Sequence, residues 1–302
     1  MHWLAHLFKS NRTVIAYKIS KCLHFYVCYT TLNRMRKNAD EKGGGTSRIS
    51  AHLKISTEYT QQSQAERDLN KRLLKITQRL LPNYGEHWNV FSMLTLRRQS
   101  ISRILYYDDL YQKILDVPGV ICEFGVQWGT TLAQLMAFRG IYEPYNHSRK
   151  IYGFDTFEGF PVIDEKDHGF SQLGDYSVNS GHIELLEEIL TIHESYSPLS
   201  HIKKFDLVKG DASLTVGPWL AANPHAIISM AIFDMDVYKP TRDVLELILP
   251  RLTKGSLLVF DELNAETFPG ETRAVDEVLG LNNIRLRYNS NQPVCAWAVF
   301  GE

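Results

Sequence analysis

From Val120 to the C terminus, short apolar runs alternate with helical patterns, and this alternation restricts the possible folds more than any other feature. The runs are VICEF, KIYGFD, FDLVKG, IISMAIFD, SLLVFD, IRLRY and CAWAVF. Strand–helix alternation predicts a mostly parallel, seven-stranded sheet with helices on both faces, a Rossmann-like α/β fold. Only NSNQPV separates the last two runs. That is too short for a helical crossover, so these two are expected to close the chain as an antiparallel hairpin.

In an open parallel sheet, ligands bind at the carboxyl ends of the strands. The first run ends in EFGVQWG, with Gly125 and Gly129. Later runs end in acids: Asp155, Asp211, Asp234 with Asp236, and Asp261 with Glu262. The first turn lacks the three glycines of a dinucleotide fingerprint, and no lysine follows in the position of a phosphate-binding loop. Asp155, at the end of the second strand, suits ribose hydroxyls. The rim is acidic and poor in phosphate-binding groups, which favours a nucleoside without a pyrophosphate. S-adenosylmethionine, with its adenosine, amino-acid tail and positive sulfonium, meets that description. Asp234 lies 27 residues before Asp261. A strand–helix–strand unit would bring Asp234, Asp261 and Glu262 together as oxygen ligands for Mg²⁺. Alternatively they are separate surface acids or helix caps.

The net charge of −1 offers no global attraction to nucleic acid or membrane. Residues 1–60 are nonetheless basic, with ten Lys/Arg against three Asp/Glu. They read as a flexible extension that ends in the glycine-rich linker NADEKGGGTSRIS. The apolar stretch 14–32 is interrupted by Lys18, Lys21 and His24, so it is read as an extension or an interfacial helix rather than a span. Residues 61–302 are expected to form the folded domain, with a helical lead-in at 61–117 and the sheet core at 118–302. In the lead-in, Ser63 and Glu66 make a capping box, Leu69, Leu73, Ile76 and Leu80 follow helical spacing, and Pro82 ends the run. A second helix is expected over about Phe91 to Leu115. Its Arg97, Arg98 and Arg103 read as a solvated face, or one of them reaches a carboxylate ligand. Cys122 and Cys295 sit in apolar runs and read as buried, reduced thiols of a cytoplasmic protein.

Four ordered motifs carry a family resemblance: VPGVICEFGVQWGTTLAQL, RKIYGFDTFEGFP, IFDMDVYKPTRDVLELILPRLTKGSLLVFDEL and FPGETRAVDE. Together they resemble the macrocin O-methyltransferase family, over roughly Val90 to the C terminus. Its members are class I S-adenosylmethionine-dependent enzymes that methylate sugar hydroxyls in natural products and nucleotide-linked deoxysugars. The FDEL and PGET versions look closest to deoxyhexose 3-O-methyltransferases. The resemblance implies a cofactor loop of Glu123, Phe124, Gly125 and Gly129, with Thr130 and Thr131 near the amino-acid end. It implies Asp155 at the ribose, Asp211 and Ser213 near adenine, and Asp234, Asp261 and Glu262 around Mg²⁺. Asp234 would also be the base. The family often has two aspartates where this chain has Asp261-Glu262, and Gly-Gly or Gly-Ser where it has Thr130-Thr131. A homo-oligomer is implied as well. A polar, glycine-bearing segment at 162–181 reads as a loop able to close over substrate. Tyr238 either lines the acceptor pocket or packs in the core. Trp128 either lies near the cofactor or covers a helix.

Overall fold

Five parallel strands form the body of the sheet: β1 (Val120–Phe124), β2 (Ile151–Asp155), β3 (Phe205–Lys209), β4 (Ile228–Phe233) and β5 (Leu252–Phe260). β6 (Arg287–Asn289) and β7 (Gln292–Val299) form the closing hairpin, with β7 antiparallel to β5. The order across the sheet is β3-β2-β1-β4-β5-β7-β6. The order reverses between β1 and β4, so a crevice opens at their carboxyl ends. The computed structural model describes residues 63–167 and 171–302, all within the unit Gln62–Glu302. The expectations for residues 1–60 and the linker fall outside the described residues, as do residues 168–170 of the expected closing loop.

Among the described residues, two long lead-in helices, α1 (Gln64–Leu80) and α2 (Arg98–Lys113), precede the sheet, with a single α-helical turn at Trp88–Phe91 between them. The crossover helices are α3 (Thr130–Tyr142), α4 (His182–Ser195), α5 (Ala212–Ala222), α6 (Tyr238–Ile248) and α7 (Gly270–Leu279). Strand side chains alternate between two cores, one on each face. Ile121, Met230, Ile232 and Val259 join Tyr106, Tyr107 and Leu110 of α2. Cys122, Phe124, Phe233 and Phe260 join residues of α5 and α6.

The capping box of Ser63 and Glu66 forms at α1, and Pro82 sits in the 3₁₀ turn that follows. The second helix is shorter than expected. Ser92 and Thr95 hydroxyls donate back to the carbonyls of Trp88 and Ser92, which competes with the helical ladder. Leu96 is extended, and α2 begins only at Arg98. The terminal hairpin is also tighter than expected. The turn is Ser290-Asn291, and the Asn289 side chain accepts the Asn291 N–H at 2.9 Å.

Buried charge fastens the lead-in to the sheet. Arg149 donates to the carbonyls of Ile114, Val117 and Gly119, to Ser229 Oγ and to Glu143, all at 2.8–3.1 Å. The C-terminal end of α2 is therefore held against β1 and β4. At the other end of the crevice wall, Gly125 has φ +92°, and a Cβ there would lie 1.8 Å from the Asp234 carbonyl oxygen. Gly125→Ala combines this clash with a positive φ, so it is expected to destabilise the protein by about 3 kcal/mol or more. Urea unfolding checks this; a loss below 1 kcal/mol would show that the two strand ends separate freely.

Candidate active site

A cavity of about 420 Å³ opens at the crevice between β1 and β4. Its floor is the β1–α3 turn: Gly125, Val126, Gln127 and Trp128, followed by Thr130 and Thr131 at the start of α3. Glu123 reaches in from β1 and is fully buried. Its Oε2 has no hydrogen-bond partner among the described residues. Burial, with repulsion from Asp234 behind it, holds the Glu123 carboxyl well above the ordinary range. A cationic ligand group such as an ammonium would satisfy that orphaned oxygen.

Asp155 lines the same cavity but is already engaged. Its Oδ2 accepts the N–H groups of Val126 and Gln127 at 2.6 and 2.8 Å, and its Oδ1 accepts that of Phe157 at 2.5 Å. The carboxylate therefore ties the floor turn to the end of β2. A carboxylate offers about four acceptor sites, so one remains for a ribose hydroxyl. Asp211 lines the cavity and N-caps α5, accepting the Ser213 N–H at 2.9 Å.

Phe124, Gly129 and Ser213, also expected near the cofactor, do not themselves line the cavity, although Gly125, Trp128, Thr130 and Ala212 beside them do. The Phe124 side chain is buried in the core against Phe154 and Phe233. Gly129 is the left-handed N-cap of α3, where any Cβ would strike the Leu186 side chain at 2.3 Å. Ser213 Oγ is buried without a hydrogen-bond partner among the described residues and does not line the cavity. Tyr238 also packs away from it, its hydroxyl bonded to Lys166 and Glu277. The cavity does take Trp128, which stacks edge-on with His182. From the 162–181 segment it takes Tyr176, and Phe160 and Pro161 join it from just before that segment. That segment is pinned down by Asp167, which accepts the Tyr238 N–H at 2.7 Å, and by Lys166, paired with Glu277 at 2.5 Å.

At the far end stand Asp234, Asp236, Asp261 and Glu262. The register that pairs Phe233 with Phe260 sets Asp234 beside Asp261, as the spacing predicted. The Asp261-Glu262 turn is braced by Glu271, which accepts the Glu262 N–H at 2.7 Å, and by the Cys295 thiol, which donates to Asp261 at 3.1 Å. Between the two aspartates sits Arg103, assigned from sequence first to a solvated face. It donates to Asp261 Oδ1 at 3.0 Å and to Asp234 Oδ2 at 3.1 Å. Among the described residues, no group of three His, Cys, Asp or Glu side chains is arranged to hold a metal ion. The donor chemistry suits Mg²⁺, but the arrangement does not fit it, because a guanidinium takes the inner oxygens. The expected Asp234–Asp261–Glu262 metal centre therefore finds no support among the described residues.

Burial, with repulsion from Asp261, pushes the Glu262 carboxyl up to about 7, from an ordinary value of 4.5. The folded value exceeds the unfolded one, so the stability it contributes is complete below about pH 4.5 and is lost as pH rises through 7. The loss is expected to be on the order of 1–2 kcal/mol after allowance for partial exposure. Melting curves between pH 4.5 and 8 should show it, and Glu262→Gln should flatten it. An equal slope in the variant would assign the effect to other groups.

The sequence profile of the macrocin-O-methyltransferase family matches residues 83–297. The solved structure of CalS11, a calicheamicin methyltransferase, is 39% identical, with a TM-score of 0.75 over 86% of this chain and 99% of that one. The O-methyltransferase NovP, at 18% identity and a TM-score of 0.52, shares the fold. The mycinamicin III 3''-O-methyltransferase of Micromonospora griseorubida is 26% identical over 48% of this chain. That match spans just over half, 56%, of the relative's length. Among the described residues, no helix is long and apolar enough to cross a membrane. A class I methyltransferase sheet with an acidic cavity at its switch point, and a family profile covering most of the chain, lead to one conclusion: this chain belongs to the macrocin-O-methyltransferase family.

Proposed function

We propose that the chain transfers the methyl group of S-adenosylmethionine to a hydroxyl of a sugar, in particular a nucleotide-linked deoxysugar. The observation that carries this reading is one cavity with two chemically distinct ends. The cofactor end has the unpaired Glu123 oxygen, the Asp155-braced turn and Asp211. The acceptor end has Asp234 with its neighbouring carboxylates and the ring of Tyr176. The deoxysugar is supported by likeness to CalS11, which is described as a TDP-rhamnose 3'-O-methyltransferase and is 39% identical to this chain.

When bound, the cofactor supplies an electrophilic methyl on a sulfonium. The protein's share is alignment and proton removal. Alignment in a fixed cavity can supply about 7–11 kcal/mol of the barrier. Arg103 bonds Asp234 through Oδ2 alone, so Oδ1 keeps its lone pairs for an acceptor hydroxyl. Asp234 accepts the hydroxyl proton as the oxygen attacks. Burial, with repulsion from Asp261, raises the Asp234 carboxyl well above its ordinary range, which strengthens it as a base.

The same reading includes a homo-oligomer in the cytoplasm that binds no nucleic acid. The oligomer is supported by α1, which buries no residue and exposes Leu69 and Leu74. Sedimentation would test it. The cofactor is tested by calorimetric titration with S-adenosylmethionine, with NAD as control. Saturable binding of the first alone is expected. No binding at millimolar cofactor would overturn the reading and favour a silent interaction protein.

A further inference from the structure

Arg103 does not belong to the sheet that builds the rest of the acceptor end. It projects from α2, a lead-in helix that Arg149 clamps to the sheet through the Ile114 and Val117 carbonyls. Its guanidinium lies 5.2 Å from the Tyr107 ring centroid, and Nη2 donates to the Tyr107 hydroxyl at 3.3 Å. From there its fork spans two neighbouring strand ends, one nitrogen on Asp234 and the other on Asp261. Among the described residues that line the cavity, Arg103 is the sole cationic side chain.

We propose that Arg103 is a built-in counter-cation, and that it and a divalent metal ion are alternative occupants of the position between Asp234 and Asp261. A divalent ion needs carboxylate oxygens at about 2.0–2.6 Å, depending on the metal. Two of the oxygens it would need already accept Arg103 nitrogens. A dication beside an undisplaced guanidinium meets like-charge repulsion in a partly desolvated site. Once Arg103 is gone, Asp234, Asp261 and Glu262 repel one another with no compensating charge, and a cation relieves that repulsion. Metal and arginine therefore exclude each other, and α2 sets which of them the carboxylates see. The inference rests on the reading of this cavity as the acceptor site, but its test needs neither cofactor nor acceptor.

The test is Mn²⁺ binding, read as loss of the free-ion paramagnetic resonance signal, in the full chain. Arg103→Met keeps an apolar stem and removes the charge. It is expected to bind Mn²⁺ at least tenfold more tightly than the unsubstituted protein, which is about 1.4 kcal/mol. Arg103→Lys keeps one charge without the fork and should fall between the two. Equal affinities in all three, whether tight or absent, would overturn the proposal. Thermal melting and far-ultraviolet circular dichroism report whether each variant folds. If neither variant folds, crystals of the unsubstituted protein soaked in Mn²⁺ decide the matter. An anomalous peak between the aspartates with Arg103 withdrawn supports exclusion. A peak with both ion pairs intact, or no peak there at any concentration, overturns it.

Discussion

Asp234→Asn is expected to slow methyl transfer by about 10²–10⁴-fold while leaving S-adenosylmethionine affinity nearly unchanged. The substitution keeps the shape and removes the proton acceptor. It also weakens the Arg103 contact at Asp234 Oδ2, but Arg103 keeps its contact at Asp261. The cofactor end should keep its geometry, because Glu123, Asp155 and Asp211 hold their positions through their own strands and turns, and the loss of Asp234's charge only relieves its repulsion of Glu123. Single-turnover rates with saturating cofactor and acceptor separate the two effects. A parallel fall in cofactor affinity would make Asp234 a structural brace. Unchanged rates would place the base elsewhere.

Glu194→Ala should have the largest effect on stability, a loss of about 3–5 kcal/mol in urea unfolding. Glu194 of α4 pairs with Arg139 of α3 at 2.7 Å and with Lys204 at 2.5 Å, and all three side chains are almost wholly buried. Removing the carboxylate leaves two cations inside the protein with nothing to balance them. Arg139 would still donate to the Lys204 carbonyl, and Lys204 to the carbonyls of Leu199 and Ile202, so their hydrogen bonds survive while their charges do not. Replacing all three residues with apolar side chains of similar volume is expected to cost far less than the single change. A single-variant loss below 1 kcal/mol would mean that water reaches the site.

The sheet was legible because strand and helix periods are local. VICEF is β1 residue for residue, and the acids at the ends of β2, β4 and β5 face one cavity. The neighbourhood of Asp234 and Asp261 followed from spacing, because a strand–helix–strand unit leaves few alternatives. What the Phe124 side chain packs against and how Gly129 turns the chain could not be read from spacing. A motif can serve the backbone turn, the core or the ligand, and these two residues serve the core and the turn. Asp236 was visible as a strand-end acid, but its left-handed backbone (φ +61°) and place in the cavity were not. Glu271 lay within the FPGET motif, yet nothing local signals that it accepts a hydrogen bond from nine residues earlier.

The sequence by itself determined the strand–helix alternation, the glycine turn after β1 and the row of carboxylates along one rim. These depend on side-chain period and on backbone freedom within a few residues. Only the tertiary structure decided which cation meets those carboxylates. Arg103 lies 131 residues before Asp234, on a helix whose arginines are at least as consistent with a solvated face. Its destination depends on how α2 rotates and docks, and that is set by Tyr106, Tyr107 and Leu110 in the core and by Arg149 at the helix end. Long-range packing of this kind leaves no periodic trace, so the pairing of Arg103 with the two aspartates is visible only in the fold.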